Sequence, residues 1–293
     1  MNVKKLWMQL YIRLVIMYAL AFGVFHEYLC FNLRGLGWLL RHIKEGRWLN
    51  LPEGGVLYFE PKVAPCYARM ICGQWNEPET HAFINAMLDA GHSTVVFVDV
   101  GANVGEFAVG MASHRKIKKI YAFEPNVNCA GAIQTSADKN NYNHLQVRQL
   151  AVSSQRRELM FQGDDLHANI GAIVRESGAR ARIVHASSLD EEIGYLACPL
   201  ILLVDTEGSE LDVIQGAMKI INNTAAVIIF EYNDASKRHW DLNAMRALLG
   251  PEWEIYRLRR DGRLDYECEH AWNCVAVKSH GYFAQTCANM IRN

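Results

Sequence analysis

The stretch Val95–Val100 (VVFVDV), running straight into Gly101-Ala102-Asn103-Val104-Gly105, constrains this chain more than any other feature. An unbroken, β-branched, apolar run reads as a strand buried on both faces, the mark of a parallel sheet covered by helices. Gly101 permits a tight turn and lets backbone approach a ligand with no Cβ in the way, and Gly105 permits close packing of the helix that opens there. With half of its residues apolar and a fifth charged, a 293-residue chain can bury the core such a sheet needs.

The same alternation extends along the chain. Helical spacing marks residues 77–90, 103–113, 127–139, 189–196, 210–220 and 242–249. Strand patterns mark 117–123, 145–152, 199–204 and 226–230. A closing strand pair, 253–258 with 273–277, is placed around the Asp261-Gly262 turn. Residues 158–185 break the rhythm with short strand-like pieces between glycines and read as an antiparallel insertion. The expected fold is a doubly wound, mainly parallel α/β sheet, in which ligands sit outside the carboxyl ends of the strands.

The chemistry-bearing residues cluster at those ends. Asp99 stands two residues before Gly101, and the glycines are spaced G-x-x-x-G, so the G-x-G-x-x-G fingerprint of a pyrophosphate site is absent. An acid there would repel a pyrophosphate but can hold an ammonium, directly or through water. The amino-acid end of S-adenosylmethionine carries one. Glu124, in Phe123-Glu124-Pro125 at the end of the next strand, is placed to accept both hydroxyls of a ribose. Asp205, Glu207 and Glu210 follow the strand at 199–204. Glu210 suits the positive end of the helix it opens, whereas Asp205 and Glu207 have no such local role. Glu231 ends the strand at 226–230, with His239 beyond it.

Together these pieces resemble the FkbM-type methyltransferase family: D-V-G-A-N-V-G, F-E-P, S-L-D at 188–190, D-T-E-G-S-E-L-D-V-I-Q-G-A at 205–217 and F-E-Y at 230–232, in order, over roughly residues 77–278. The resemblance implies a seven-stranded class I methyltransferase (Rossmann-like) sheet whose last strand runs antiparallel. It also implies S-adenosylmethionine as cofactor and a hydroxyl of a sugar, polyketide or other small molecule as acceptor. On the matching positions it implies cofactor contacts at Asp99, Gly101, Ala102, Asn103, Gly105, Glu124, Pro125, Ala151 and Asp205. Thr206 departs from the branched apolar residue usual there. The insertion at 158–185 has no clear match and is expected to shape the acceptor pocket.

Methyl transfer needs alignment, exclusion of water and removal of the hydroxyl proton. Asp205, Glu207, Glu231 and His239 are the candidate catalytic residues, with His167 a further candidate base. The three acids could alternatively hold Mg²⁺ through oxygen, although the reading taken assigns no metal. Trp240, Trp253 and Trp272 are expected in the core rather than as a substrate platform. The rival functions are a nicotinamide-dependent oxidoreductase on a similar sheet and an inactive, membrane-tethered interaction protein.

Charge and cysteines set the surroundings. A net charge of −1 argues against nonspecific nucleic-acid binding. The eight scattered cysteines form no C-x-x-C pair and read as buried thiols in a reducing, cytoplasmic setting. Residues 1–50 carry seven Lys or Arg against two acids, around an apolar run at 14–25, with a second short amphipathic helix at 36–45. A signal-anchor, an amphipathic helix on the cytoplasmic face of a membrane, and a helical extension packed on the domain all remain open. The expected domains are a basic extension (1–50), a junction (51–76), the methyltransferase domain (77–280) and a tail (281–293).

Overall fold

The computed structural model describes residues 47–59, 74–164, 167–174 and 181–291, with Met70 and scattered helical positions between 7 and 18. The helix expected at 36–45 lies outside the described residues. No helix among the described residues is long and apolar enough to cross a membrane.

The chain opens with a hairpin of β1 (Arg47–Asn50) and β2 (Val56–Phe59), followed by α1 (Pro78–Ala90), β3 (Val95–Val100) and α2 (Glu106–Met111). Then come β4 (Ile117–Phe123), α3 (Val127–Asn140), β5 (Leu145–Arg148) and the strands of a second sheet, β6 (Ala151–Val152), β7 (Arg157–Asp164), β8 (His167–Val174) and β9 (Ala181–Ser187). After α4 (Leu189–Glu192) follow β10 (Leu200–Val204), α5 (Glu210–Gln215), α6 (Met218–Asn223), β11 (Ala226–Glu231) and α7 (Leu242–Leu249). Strands β12 (Trp253–Leu258), β13 (Leu264–Asp265) and β14 (Asn273–Lys278) and helix α8 (Ala284–Met290) close the chain.

The main sheet has the order β13-β12-β14-β11-β10-β3-β4-β5. Seven strands carry it, and β13 adds a two-residue edge. From β5 to β11 the pairing is parallel, and β14 runs antiparallel to both of its neighbours. Every residue of β3, β10 and β11 is buried, because helices cover both faces and leave one apolar cluster on each. The chain leaves β3 toward β4 and β5, then returns on the other side at β10. The topological switch point therefore lies between β3 and β10, where a cleft opens beyond the strand ends.

Three local expectations change. Residues 145–152 are two strands, not one: the Leu150 N–H bonds the Arg148 carbonyl, and β6 turns away to pair with β9 in a second sheet, β6-β9-β7-β8. The helix expected over 210–220 breaks at Gly216, where a Cβ would stand 2.1 Å from the Ser153 carbonyl oxygen. The Asp261-Gly262 turn joins β12 to the short β13, and β14 reaches β12 only after a 3₁₀ turn. The hairpin at 47–59 docks on α3 through Asn140, whose amide group bonds both Val56 N–H and Val56 carbonyl, and through Ser136, which accepts from Tyr58 N–H.

Candidate active site

The strand register builds the site. Phe123, Val100, Val204 and Phe230 lie side by side in one row across β4, β3, β10 and β11. The next residue on each strand is Glu124, Gly101, Asp205 and Glu231, and all four line a cavity of about 210 Å³. Four adjacent parallel strands thus deliver three acids and a glycine to one floor.

Gly101 is held at φ +83°, and a Cβ there would lie 1.8 Å from the Asp205 carbonyl oxygen. Only glycine fits this crossing of β3 past β10. Its N–H and that of Ala102 both bond the Phe123 carbonyl, fastening the turn to β4. Asn103 follows in the left-handed region, φ +50°, and its N–H donates to Glu124 Oε2 at 2.9 Å. Glu124 Oε1 accepts from the Asn126 N–H at 2.7 Å. Each oxygen accepts one backbone N–H and keeps a further lone pair, and burial pushes the carboxyl up to about 7 despite those bonds. Leu150, Ala151 and Val152 give the cavity an apolar side next to Pro125.

Asp99 is elsewhere. It is fully buried beneath the turn, outside the cavity lining, and its Oδ2 accepts from the Ala108 N–H of α2 at 2.9 Å. Burial pushes it up to about 8. Ala102 and Gly105 are likewise outside the lining. Gly105, at φ +94°, would place a Cβ 2.9–3.0 Å from Val109 and Ile133, so it sets the approach of α2 to α3.

On the other flank, Asp205, Glu207 and Glu231 each bring a carboxylate oxygen within 4.8 Å of the others. Glu207 sits in the left-handed region, φ +54°. Glu231 is 4% exposed; its Oε1 accepts from the Asn233 side chain, and its carboxyl shares a hydrogen bond with Asp205. Burial first, then neighbouring charge, raises all three: Glu207 beside Glu210, Glu231 to about 8 beside Glu207 and Glu210 against its bond to Asp205, and Asp205 well above the usual carboxylate range beside Glu231 and Glu77. Glu210 is the scaffold of this loop, and its charge also bears on the three acids. Its Oε1 accepts from the Thr206 N–H and hydroxyl and the Gly208 N–H, and its Oε2 from the Trp240 indole.

Two expected side chains do not converge. His239 is exposed outside the cavity, its ring packed over Gly208. The side chain of His167 lies outside the described residues. Conversely, Trp272 is 61% exposed and lines the cavity mouth, contrary to the core placement expected for it, while Trp240 and Trp253 are buried. Asn76 and Glu77, Phe161 from β7 and Ile173 from β8 complete the lining. Glu77 accepts from the Asn273 side chain and Thr80 hydroxyl, and burial raises it to about 7. Glu106 anchors this corner by accepting the N–H groups of Asn76 and Glu77.

Fold and site together define a class I methyltransferase, with its strand order, a glycine turn at the switch point and an acid beyond the second parallel strand, all at one cavity. The chain belongs to the FkbM methyltransferase family, whose domain model matches residues 99–263. S-adenosylmethionine is its methyl donor, and the nicotinamide alternative is set aside. Over 180 residues the chain is 25% identical to the hexuronic acid methyltransferase AglP of Haloferax volcanii, covering 61% of this chain and 72% of that one. Among solved structures, it is similar to M. jannaschii TYW2 in complex with AdoMet (12% identity, TM-score 0.43, 80% and 85% of the two chains). A Streptococcus mutans protein in complex with SAH is similar at 11% identity and TM-score 0.42, covering 69% and 97%. Both overlays are loose, and the family model carries the assignment.

Proposed function

We propose that this protein moves the methyl group of S-adenosylmethionine to a hydroxyl oxygen of a small, hydroxyl-rich acceptor, a sugar or glycan precursor. One observation carries the reading: the parallel strands place Glu124 on one side of the Gly101 turn and the Asp205–Glu207–Glu231 group on the other, in one cavity. The first suits the vicinal hydroxyls of a ribose, and the second suits an acceptor that must lose a proton. The name of the Haloferax relative, a hexuronic acid methyltransferase, supports a sugar acceptor.

Glu124 would hold the ribose hydroxyls of the donor, and Leu150, Ala151 and Val152 would offer an apolar wall to its base. Glu77 and the strand-end acids offset the positive charge at the amino-acid end. This replaces the ammonium contact expected of Asp99, which is committed to α2. The bound donor supplies an electrophilic methyl: the acceptor oxygen bonds to it, the carbon–sulfur bond breaks, and the electron pair goes to sulfur. The hydroxyl proton leaves toward the three carboxylates, which lie in reach of the cavity. Phe161, Ile173 and Trp272 wall the opening, aligning the acceptor and keeping water out.

The test is incubation with isotopically labelled donor and a panel of uronic acids, hexoses, lipid-linked sugars and amines, with the product linkage mapped by mass spectrometry. Label on a sugar hydroxyl is expected. Label only on nitrogen or on macromolecules overturns the acceptor class, and no transfer to any acceptor favours the inactive alternative.

A further inference from the structure

Trp272 is 61% exposed at the mouth of the cavity, while Trp240 and Trp253 are buried. Apolar side chains scattered singly over a surface need no explanation. This one differs because its backbone is fixed on both sides. The Trp272 carbonyl accepts the Tyr232 N–H at 2.8 Å, and the Ala271 N–H before it bonds the Cys268 carbonyl at the end of a 3₁₀ turn. Asn273, the residue after it, pairs with Glu231 between β14 and β11. The Asn273 side chain donates to Glu77 Oε2 at 2.7 Å and to Thr80 Oγ1 at 3.1 Å. The fold therefore holds the indole in water next to two of the acids that line the site.

Its place in the sheet order sets which ligand it can meet. Strand β14 is four places from β4, so Trp272 and Glu124 lie toward opposite ends of the row of strand ends, with Asp205 and Glu231 between them. Phe161 and Ile173 add further apolar lining to the same cavity. With the ribose at Glu124, Trp272 is on the acceptor side. A pyranose ring has the matching surface. One face carries weakly positive C–H groups that suit the negative face of an indole, and its rim carries hydroxyls that suit carboxylates. An open-chain polyol offers the hydroxyls without the flat C–H face.

We propose that Trp272 is a platform on which a pyranose ring of the acceptor stacks, presenting a ring hydroxyl to Asp205, Glu207 and Glu231. This rests on the acceptor class proposed above and narrows it to six-membered sugar rings with an unbroken C–H patch on one face. Trp272 binds and orients the ring and moves no proton.

The test is saturation-transfer NMR on the full chain with S-adenosylhomocysteine bound, using methyl β-glucopyranoside, methyl β-galactopyranoside, glucuronic acid and sorbitol. Saturation is expected on the C–H protons of one face of at least one ring, and not on sorbitol. Trp272→Ala should weaken that binding at least about fivefold, and Trp272→Phe should keep it within about threefold. Binding of S-adenosylhomocysteine within about threefold of the unaltered chain shows that both variants fold, as expected for so exposed a side chain. Absence of saturation on every ring overturns the platform, and so does equal ring binding by Trp272→Ala or equal saturation of sorbitol. The acceptor class is judged separately: labelled methyl on a sugar hydroxyl with equal KM in Trp272→Ala leaves that class standing without the platform, whereas label on nitrogen alone removes the class itself.

Discussion

In the proposed reading Glu124 governs donor binding, because its charge state and its hydrogen bonds coincide. Ribose hydroxyls donate to the anion, and in the free protein burial holds the carboxyl up to about 7. Protonation therefore competes with the donor. Affinity for S-adenosylhomocysteine should climb as pH rises toward about 7 and level off above it, and Glu124→Gln should flatten that profile and weaken binding roughly 10- to 100-fold; calorimetry from pH 5.5 to 8.5 would show either. Asp99 tells a different story. Its folded value, about 8, lies above the ordinary 3.8, so the folded chain keeps a proton that the unfolded chain releases. That contribution to stability is complete below about pH 4 and is lost as pH rises through about 8. Asp99→Asn, which keeps an acceptor for the Ala108 N–H, should lower the pH slope of thermal unfolding by close to one proton; an unchanged slope would contradict the buried, protonated carboxyl. The sequence shows an acid two residues before a glycine turn. It does not show that the N–H of the opening helix reaches that acid first.

The segment from β10 into α5 depends on Glu210. Four donors converge on its carboxylate, and the Trp240 indole ties them to the α7 side of the sheet. Glu210→Ala should destabilise the protein by at least about 3 kcal/mol, because it strands several donors that burial keeps from water. Chemical denaturation would measure it, and a loss under about 1 kcal/mol would mean the loop is held otherwise. The sequence suggested a simpler role, an acid at a helix start. The strands were legible because β-branched runs report burial on both faces. The break between α5 and α6 was not, since Gly216 yields to Ser153, more than sixty residues upstream. His239 followed the acids closely enough in sequence to read as a base, but its backbone turns it over Gly208 instead of into the cavity.

At the scale of the molecule, one sheet does the positioning and its additions tune it. The register row Phe123–Val100–Val204–Phe230 makes the site an outcome of parallel pairing, which is why the acids at strand ends could be picked from the sequence. The insertion at 158–185 was expected at the pocket and supplies Phe161 and Ile173, whereas Asn76, Glu77 and Trp272 arrive from segments with no periodic link to the sheet and could not be picked. Of the three readings of the basic residues 1–50, two assign them a role in attachment to a membrane and one packs them on the domain. The full chain should sediment with vesicles rich in anionic lipid while a chain beginning at residue 47 stays in the supernatant and binds S-adenosylhomocysteine equally well. Equal sedimentation of the two would remove that role. The central claim, a nucleoside gripped across the Gly101 turn by Glu124, is tested most directly by calorimetric titration of the full chain and of folded Glu124→Ala with S-adenosylhomocysteine and with NAD. The account predicts saturable binding of S-adenosylhomocysteine to the unaltered chain, severe weakening in the variant and no binding of NAD. Equal affinity in the two proteins, or binding of NAD alone, would contradict it.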